Sequence, residues 1–169
     1  MYVAIRFSWL VAFAVLSCLI EQNAYGQLVP YKAQGTDAVF FPATGDFGGV
    51  GVATHFGRSL QTGSLATMPT GPLTAEFVST SAMVITAANG DTLLLWMQGE
   101  VEFVPLDSTF TVFTAMWSAQ ADVVGGTGRF ANAQPGPEPL SVIATNEPFA
   151  LTDPQWKFSW EFSGKFRLR

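Results

Sequence analysis

Cysteine and histidine are nearly absent from this chain of 169 residues, which contains one of each. The single cysteine, Cys18, excludes an intramolecular disulfide and a cysteine-rich metal site. The single histidine, His55, excludes a zinc site built from several imidazoles and leaves one candidate base for a Ser-His-Asp triad. We therefore expect a core that is stable without covalent or metal cross-links, and the sequence predicts no metal and no cofactor.

Charged residues are also scarce, at 12% of the chain, which is about half the usual share. The 8 basic residues are outnumbered by 13 acidic ones, the net charge is −5, and no basic cluster is present. This balance argues against nucleic acid or an anionic membrane surface as a partner. Glycine and aromatic residues are plentiful instead, and no convincing amphipathic helix is found, which is typical of a β-protein with many tight turns.

The first 26 residues have the organisation of a secretory signal peptide. A short segment with one cation, Arg6, precedes an apolar run over residues 7–20, and the small residues Ala24 and Gly26 stand where a signal peptidase acts. The apolar run is too short to span a bilayer, which takes about 20 residues. We expect cleavage after Gly26 and a secreted or periplasmic protein. The alternative is a lipoprotein in which Cys18 is acylated and retained as a membrane anchor.

Residues 27–169 are predicted to form a single domain of about eight strands with short connections. Between two β-like runs, Asn89-Gly90 predicts a hairpin with a type I′ turn. The short connections favour a closed antiparallel β-barrel over an open sheet with two bare edges, and a β-sandwich is the alternative. The predicted strands cover residues 27–41, 50–56, 60–68, 73–87, 92–104, 109–123, 140–146 and 155–168.

The last predicted strand alternates between an aromatic face and a polar face. The face that includes Trp156, Phe158, Trp160 and Phe162 is apolar, and its neighbours along the strand are polar. Three interpretations stay open for this stripe: packed core or a subunit interface, the wall of an apolar ligand cavity, or a lipid-facing surface.

Residues 123–133 (VVGGTGRFANA) form a glycine-rich corner after a predicted strand. Within it, residues 126–131 satisfy the G-x-G-x-x-A pattern of dinucleotide sites. That chemistry needs a helix whose N-terminal amides hold the pyrophosphate. Pro135, Pro137 and Pro139 prevent such a helix, so we interpret the match as accidental and the corner as structural.

The same corner, with Phe149 and the aromatic last strand, resembles the C-terminal half of the allene oxide cyclase and dirigent barrel proteins, in particular an uncharacterised secreted bacterial branch. The resemblance covers residues 109–169, and residues 50–58 and Asn89-Gly90-Asp91 are similar to segments of that branch. It implies an eight-stranded barrel. The prolines of residues 135–139 depart from the family pattern, and no catalytic residue of the cyclases is matched here, so the resemblance implies no activity.

The ionisable residues supply three weak catalytic candidates, His55, Glu100 and Glu161. His55 is interpreted mainly as a hydrogen-bonded strand residue beside Arg58. Glu100 and Glu102 share one strand face at a spacing of about 7 Å, where paired carboxylates would permit acid–base work on a glycoside. Their face is opposite the apolar one, which favours two solvated side chains.

No convergent catalytic set is present, whereas apolar strand faces are abundant. We therefore expect a non-enzymatic binding or structural protein that holds a small apolar ligand or forms a homo-oligomer. The alternative is an isomerase or cyclase that steers a reactive apolar substrate inside the barrel. That alternative requires His55, Glu76, Glu100 or Glu161 to point into an internal pocket.

Overall fold

A computed structural model describes residues 26–169, and within these residues the chain forms nine antiparallel β-strands and one short 3-10 helix. Gly26 is the only described residue of the predicted signal peptide; the rest of it, including Cys18, lies outside the described residues. The strands are β1 (Gln27–Phe41), β2 (Asp46–Ala53), β3 (Gly57–Pro69), β4 (Thr74–Ser79), β5 (Met83–Ala87), β6 (Thr92–Pro105), β7 (Phe113–Gly126), β8 (Leu140–Asn146) and β9 (Trp156–Leu168).

The strands pair into a closed ring. β1 is hydrogen-bonded to β2 on one side and to the last strand, β9, on the other, and the ladder continues through β8, β7 and β6. β4 and β5 each pair with both β3 and β6, so together they fill one of eight ring positions. The predicted all-β antiparallel fold is confirmed, and the ring satisfies the backbone hydrogen bonds that open sheet edges would leave unpaired.

The run predicted as one strand over residues 73–87 is divided in the structure. Val78 pairs with Gln98 and Met83 pairs with Leu95, so residues 79–82 lie opposite Trp96 and Met97 alone. The surplus residues leave the ladder with β6, although Ser79 stays paired with Leu65 of β3, and the Met97 backbone N–H donates instead to Ser79 Oγ at 3.0 Å. Local β-propensity is high throughout residues 73–87. The strand breaks because of the mismatch with β6, and the sequence of residues 73–87 alone does not reveal that mismatch.

The Asn89-Gly90 hairpin is confirmed, but its predicted turn type is wrong. Gly90 has φ +87°, whereas Asn89 keeps a negative φ, and a type I′ turn needs positive φ at both central positions. The Gly90 N–H donates to the Ala87 carbonyl, and the Ala87 N–H donates to the Asp91 carbonyl. This pattern is the longer type I turn followed by a glycine bulge.

The glycine corner packs against that same hairpin. Arg129 Nε lies 3.2 Å from Asp91 Oδ2, and the Thr127 and Thr92 hydroxyls are hydrogen-bonded at 2.8 Å. Gly128 has φ +58°, and a Cβ there would lie only 1.8 Å from Asp91 Oδ1. Glycine is therefore required at this position both by conformation and by contact. The following 3-10 helix (Gly128–Phe130) buries Phe130 completely.

The apolar face of β9 points into the ring, which decides between the interpretations of the aromatic stripe. Trp156, Trp160, Phe162 and Phe166 are all buried. Phe166 contacts an aromatic group near the glycine corner, in which Phe56 stacks on Phe130 at 4.2 Å between centroids. The stripe is therefore interior, and it supplies core packing and part of a cavity wall.

Candidate functional site

The structure places His55 in a turn and not on a strand, which corrects its predicted location. β2 ends at Ala53, and His55 lies in the connection to β3 with φ +67° and an exposed side chain. Its Nε2 is 3.1 Å from the Pro30 carbonyl, to which it donates a hydrogen bond. The imidazole thus ties the β2–β3 turn to β1 on the outside of the ring.

The glutamates singled out by the sequence are all exposed. Glu100 and Glu102 lie on the outer face of β6, Glu161 on that of β9, and Glu76 on that of β4. Glu76 is paired directly opposite Glu100 across the ladder, a juxtaposition that sequence spacing did not predict. The isomerase hypothesis needed one of four groups to point inward, and His55, Glu76, Glu100 and Glu161 all point outward.

The interior contains an apolar cavity of about 50 Å³ at the centre of the ring. Each of the eight ring positions contributes a lining side chain, among them Phe40, Leu65, Phe77 and Met97. Small residues on β7 and β8, Ala119 and Ala144, leave the space that larger side chains would fill. The volume exceeds the 10–15 Å³ that a water molecule needs and accommodates a molecule of a few heavy atoms.

One wall of the cavity is held rigidly. The Trp117 Nε1–H donates to Asn146 Oδ1 at 2.6 Å, and Asn146 Nδ2 donates to the Lys157 carbonyl at 3.1 Å. Phe40 and Phe77 pack edge-on against the Trp117 ring, with centroids 5.5 and 5.2 Å away. The buried amide of Asn146 thus has partners for both of its ends, and it fixes the orientation of an indole that borders the cavity.

Gln61 is the other buried amide, and it differs from Asn146 in having an unpaired oxygen. Its side chain borders the cavity and is 2% exposed, and Oε1 has no hydrogen-bond partner among the described residues. Burying an acceptor without a partner costs about 1–3 kcal/mol. Apart from two indole N–H groups, Gln61 is the only polar side chain among the described residues that line the cavity.

Trp160 separates the cavity from a groove on the outside of the ring, since it borders both. The groove, of about 710 Å³, lies where β1 bulges at Thr36 and Asp37, two residues opposite Ser159 alone. The Trp160 indole fits closely against Gly51, where an added Cβ would lie 2.6 Å from ring atom Cζ2. Its own Nε1 is buried without a partner in the described part of the chain.

No protein-family model, curated protein or solved structure matches this chain. Function must therefore be argued from the site itself. Within residues 26–169, no group of three or more His, Cys, Asp or Glu side chains lies close enough to hold a metal ion. The described residues also contain no helix that is long and apolar enough to cross a membrane.

Sequence reasoning did not identify Gln61, although a signal was present. β3 places Ser59, Gln61, Gly63 and Leu65 on one face, which is the inward one. A glutamine between inward positions of a buried strand is unusual, because polar side chains are mostly exposed. The pattern was obscured because the run 60–68 is rich in Thr, Ser and Gly, and neither of its faces is clearly apolar.

Chemically, the site suits binding better than catalysis. The described cavity walls bring together aromatic rings, aliphatic side chains and one carboxamide, and no ionisable side chain. General acid–base catalysis needs a group that gains or loses a proton near the working pH. A neutral amide supplies orientation and a hydrogen bond instead.

Proposed function

We propose that this protein is an exported, non-enzymatic binding protein whose central cavity holds a small, largely apolar ligand. The observation that carries the proposal is an apolar cavity of about 50 Å³ in a ring whose other interior positions are densely packed. Protein interiors normally fill such spaces, because a void forfeits dispersion contacts along its lining. A retained void at the centre of the ring is therefore a candidate binding site.

The aromatic walls support this proposal. Dry apolar cavities in other proteins bind benzene or xenon, because the ligand replaces missing contacts without displacing ordered water. The cavity of this protein is smaller than the engineered cavity that binds benzene, so its ligand must also be small. The barrel resemblance described above is consistent with an interior site, since small barrels are known to enclose one small ligand.

The test is xenon binding, measured by diffraction from crystals pressurised with the gas. We expect xenon beside Phe77, Met97 and Ala119. The variant Ala119→Val should exclude it by filling the space, while the control Ala66→Val, on the exposed face of β3, should leave xenon in place. A wild-type interior without xenon, or equal occupancy in Ala119→Val, would contradict the proposal.

A further inference from the structure

Gln27 is the first residue of β1 and also the residue that follows the predicted cleavage bond. It pairs with β9 from the start of the strand, where it lies opposite Leu168. The ladder therefore begins at the residue at which the signal-peptide pattern predicts the mature chain to begin. That pattern depends on the small residues Ala24 and Gly26, whereas the strand boundary depends on backbone pairing, so the two observations support each other.

The side chain of Gln27 is free to react. It is exposed, and its carboxamide makes no hydrogen bond to any other described residue. In the other glutamines of the domain the α-nitrogen belongs to a peptide bond, which makes it a poor nucleophile. Cleavage after Gly26 would give Gln27 alone a free α-amino group next to its own carboxamide.

We infer that Gln27 of the exported chain cyclises to pyroglutamate; the inference rests on the export in the proposed function and not on the cavity. The lone pair of the uncharged α-nitrogen attacks Cδ and forms the N–Cδ bond. The Cδ–Nε2 bond breaks, and Nε2 leaves as ammonia with a proton from the α-nitrogen, so no oxidant or co-reactant is needed. An α-amino group titrates near neutral pH, and closing a five-membered ring within one residue has the advantage of an intramolecular reaction.

The surroundings of Gln27 accommodate the cyclic product. The Arg169 side chain lies close to the cleavage bond, since its Cγ is 3.0 Å from the position that a Cβ on Gly26 would take. An α-ammonium group there would face a like charge, and the ring removes that charge. Because the Gln27 side chain is exposed, the ring forms without displacing the core, and the pairing of β1 with β9 continues from Leu28 onward. The ring also protects the first strand from aminopeptidases that need a free α-amine.

The experiment expresses the full-length chain in a secreting bacterial host and measures the intact mass of the exported protein after incubation at neutral pH. We expect the mass of residues 27–169 less one molecule of ammonia, with the loss located in the N-terminal peptide by tandem mass spectrometry. Edman degradation should fail until pyroglutamyl aminopeptidase has removed the first residue. The variant Gln27→Ser should have its full mass and an open N-terminus. The control Gln34→Ser, exposed on the same strand, should still lose ammonia.

The two proposals fail differently. If the chain is not exported, or keeps residues 1–26, the export in the proposed function fails and the inference fails with it. If the exported chain begins at Gln27 with its full mass and a free amine, export stands and the cyclisation is wrong. A chain that begins at another residue, or that carries a lipid on Cys18, is exported but overturns the inference. A loss of ammonia that persists in Gln27→Ser belongs to another residue and overturns it as well.

Discussion

Replacing Gln61 with methionine should stabilise the protein in the absence of ligand. The amide oxygen of Gln61 is buried and unpaired among the described residues, and an acceptor in that situation costs about 1–3 kcal/mol. Methionine has a similar length, adapts to irregular space and demands no hydrogen bond. We expect the free energy of unfolding to rise by about 1–2 kcal/mol, which corresponds to about 4 °C in melting temperature for each kcal/mol.

The assay is equilibrium urea denaturation followed by tryptophan fluorescence, with unchanged m-values required so that the midpoints can be compared. Asn146→Leu is the matched comparison, because it removes the other buried amide. That change strands the Trp117 Nε1–H, whereas the Lys157 carbonyl still accepts from the Glu147 N–H, and we expect a loss of about 1–3 kcal/mol. The reasoning is refuted if Gln61→Met destabilises the protein by more than about 1 kcal/mol, since Gln61 would then be making stabilising hydrogen bonds.

Three further predictions concern packing and charge. Gly51→Ala should destabilise by about 1–3 kcal/mol in thermal unfolding, since its Cβ would lie 2.3 Å from the Gln34 carbonyl oxygen and 2.6 Å from the Trp160 indole. Gly48→Ala, with nothing nearer than 3.5 Å, should cost less than about 0.5 kcal/mol. Glu76→Lys should stabilise by about 0.2–1 kcal/mol at low salt, because Glu100 lies directly opposite; a gain that is unchanged in 1 M salt would contradict the electrostatic cause. Hydrogen bonds from neighbouring threonine hydroxyls and backbone N–H groups hold the pKa of Asp107 well below its usual range, so Asp107→Asn should lower the melting temperature at pH 7, and the difference should shrink progressively as the pH falls below about 4. A difference that is as large at pH 2 as at pH 7 would show that the carboxylate charge is not responsible.

The sign of the Asp107 effect follows from linkage. A carboxyl group whose pKa is lowered by folding stabilises the native state above its unfolded pKa of about 3.9, and that contribution is lost as falling pH protonates the group. The carboxylate accepts from the hydroxyls of Thr109 and Thr111 and from the backbone of Thr111 and Val112. These bonds shape the loop between β6 and β7. As a result, β7 begins at Phe113 and not at residue 109, where its start was predicted.

The contribution of Tyr31 to stability depends on pH in the opposite direction to that of Asp107, since it is lost at high pH. Tyr31 is fully buried against Phe56 and Phe166, and burial raises its pKa far above the usual value because the ionised form would be desolvated. Its contribution to stability is present below about pH 10 and is lost as the pH rises further and the unfolded chain ionises. Tyr31 therefore belongs to the core and is not a candidate acid at neutral pH.

The sequence by itself determined the features that depend on local pattern. Alternation in residues 155–168 located β9 and separated its apolar face from its polar one, and Asn89-Gly90 located a hairpin, because side-chain period and turn preferences act within a few residues. The bounds of β1 and β8 were predicted correctly for the same reason, because Pro42 follows β1 directly and a loop that begins at Pro148 follows β8.

Only the tertiary structure decided which residues meet across the ring. The division of residues 73–87 depends on the mismatch with β6, and the repulsion between Glu76 and Glu100 depends on the register of β4 against β6. The cavity depends on two small side chains, Ala119 and Ala144, on the neighbouring strands β7 and β8. Gln61 was likewise recognised as a candidate site residue only from the tertiary structure. Whether a buried amide is paired depends on partners that are distant in sequence, and the asymmetry between Asn146 and Gln61 exists only once the ring has closed.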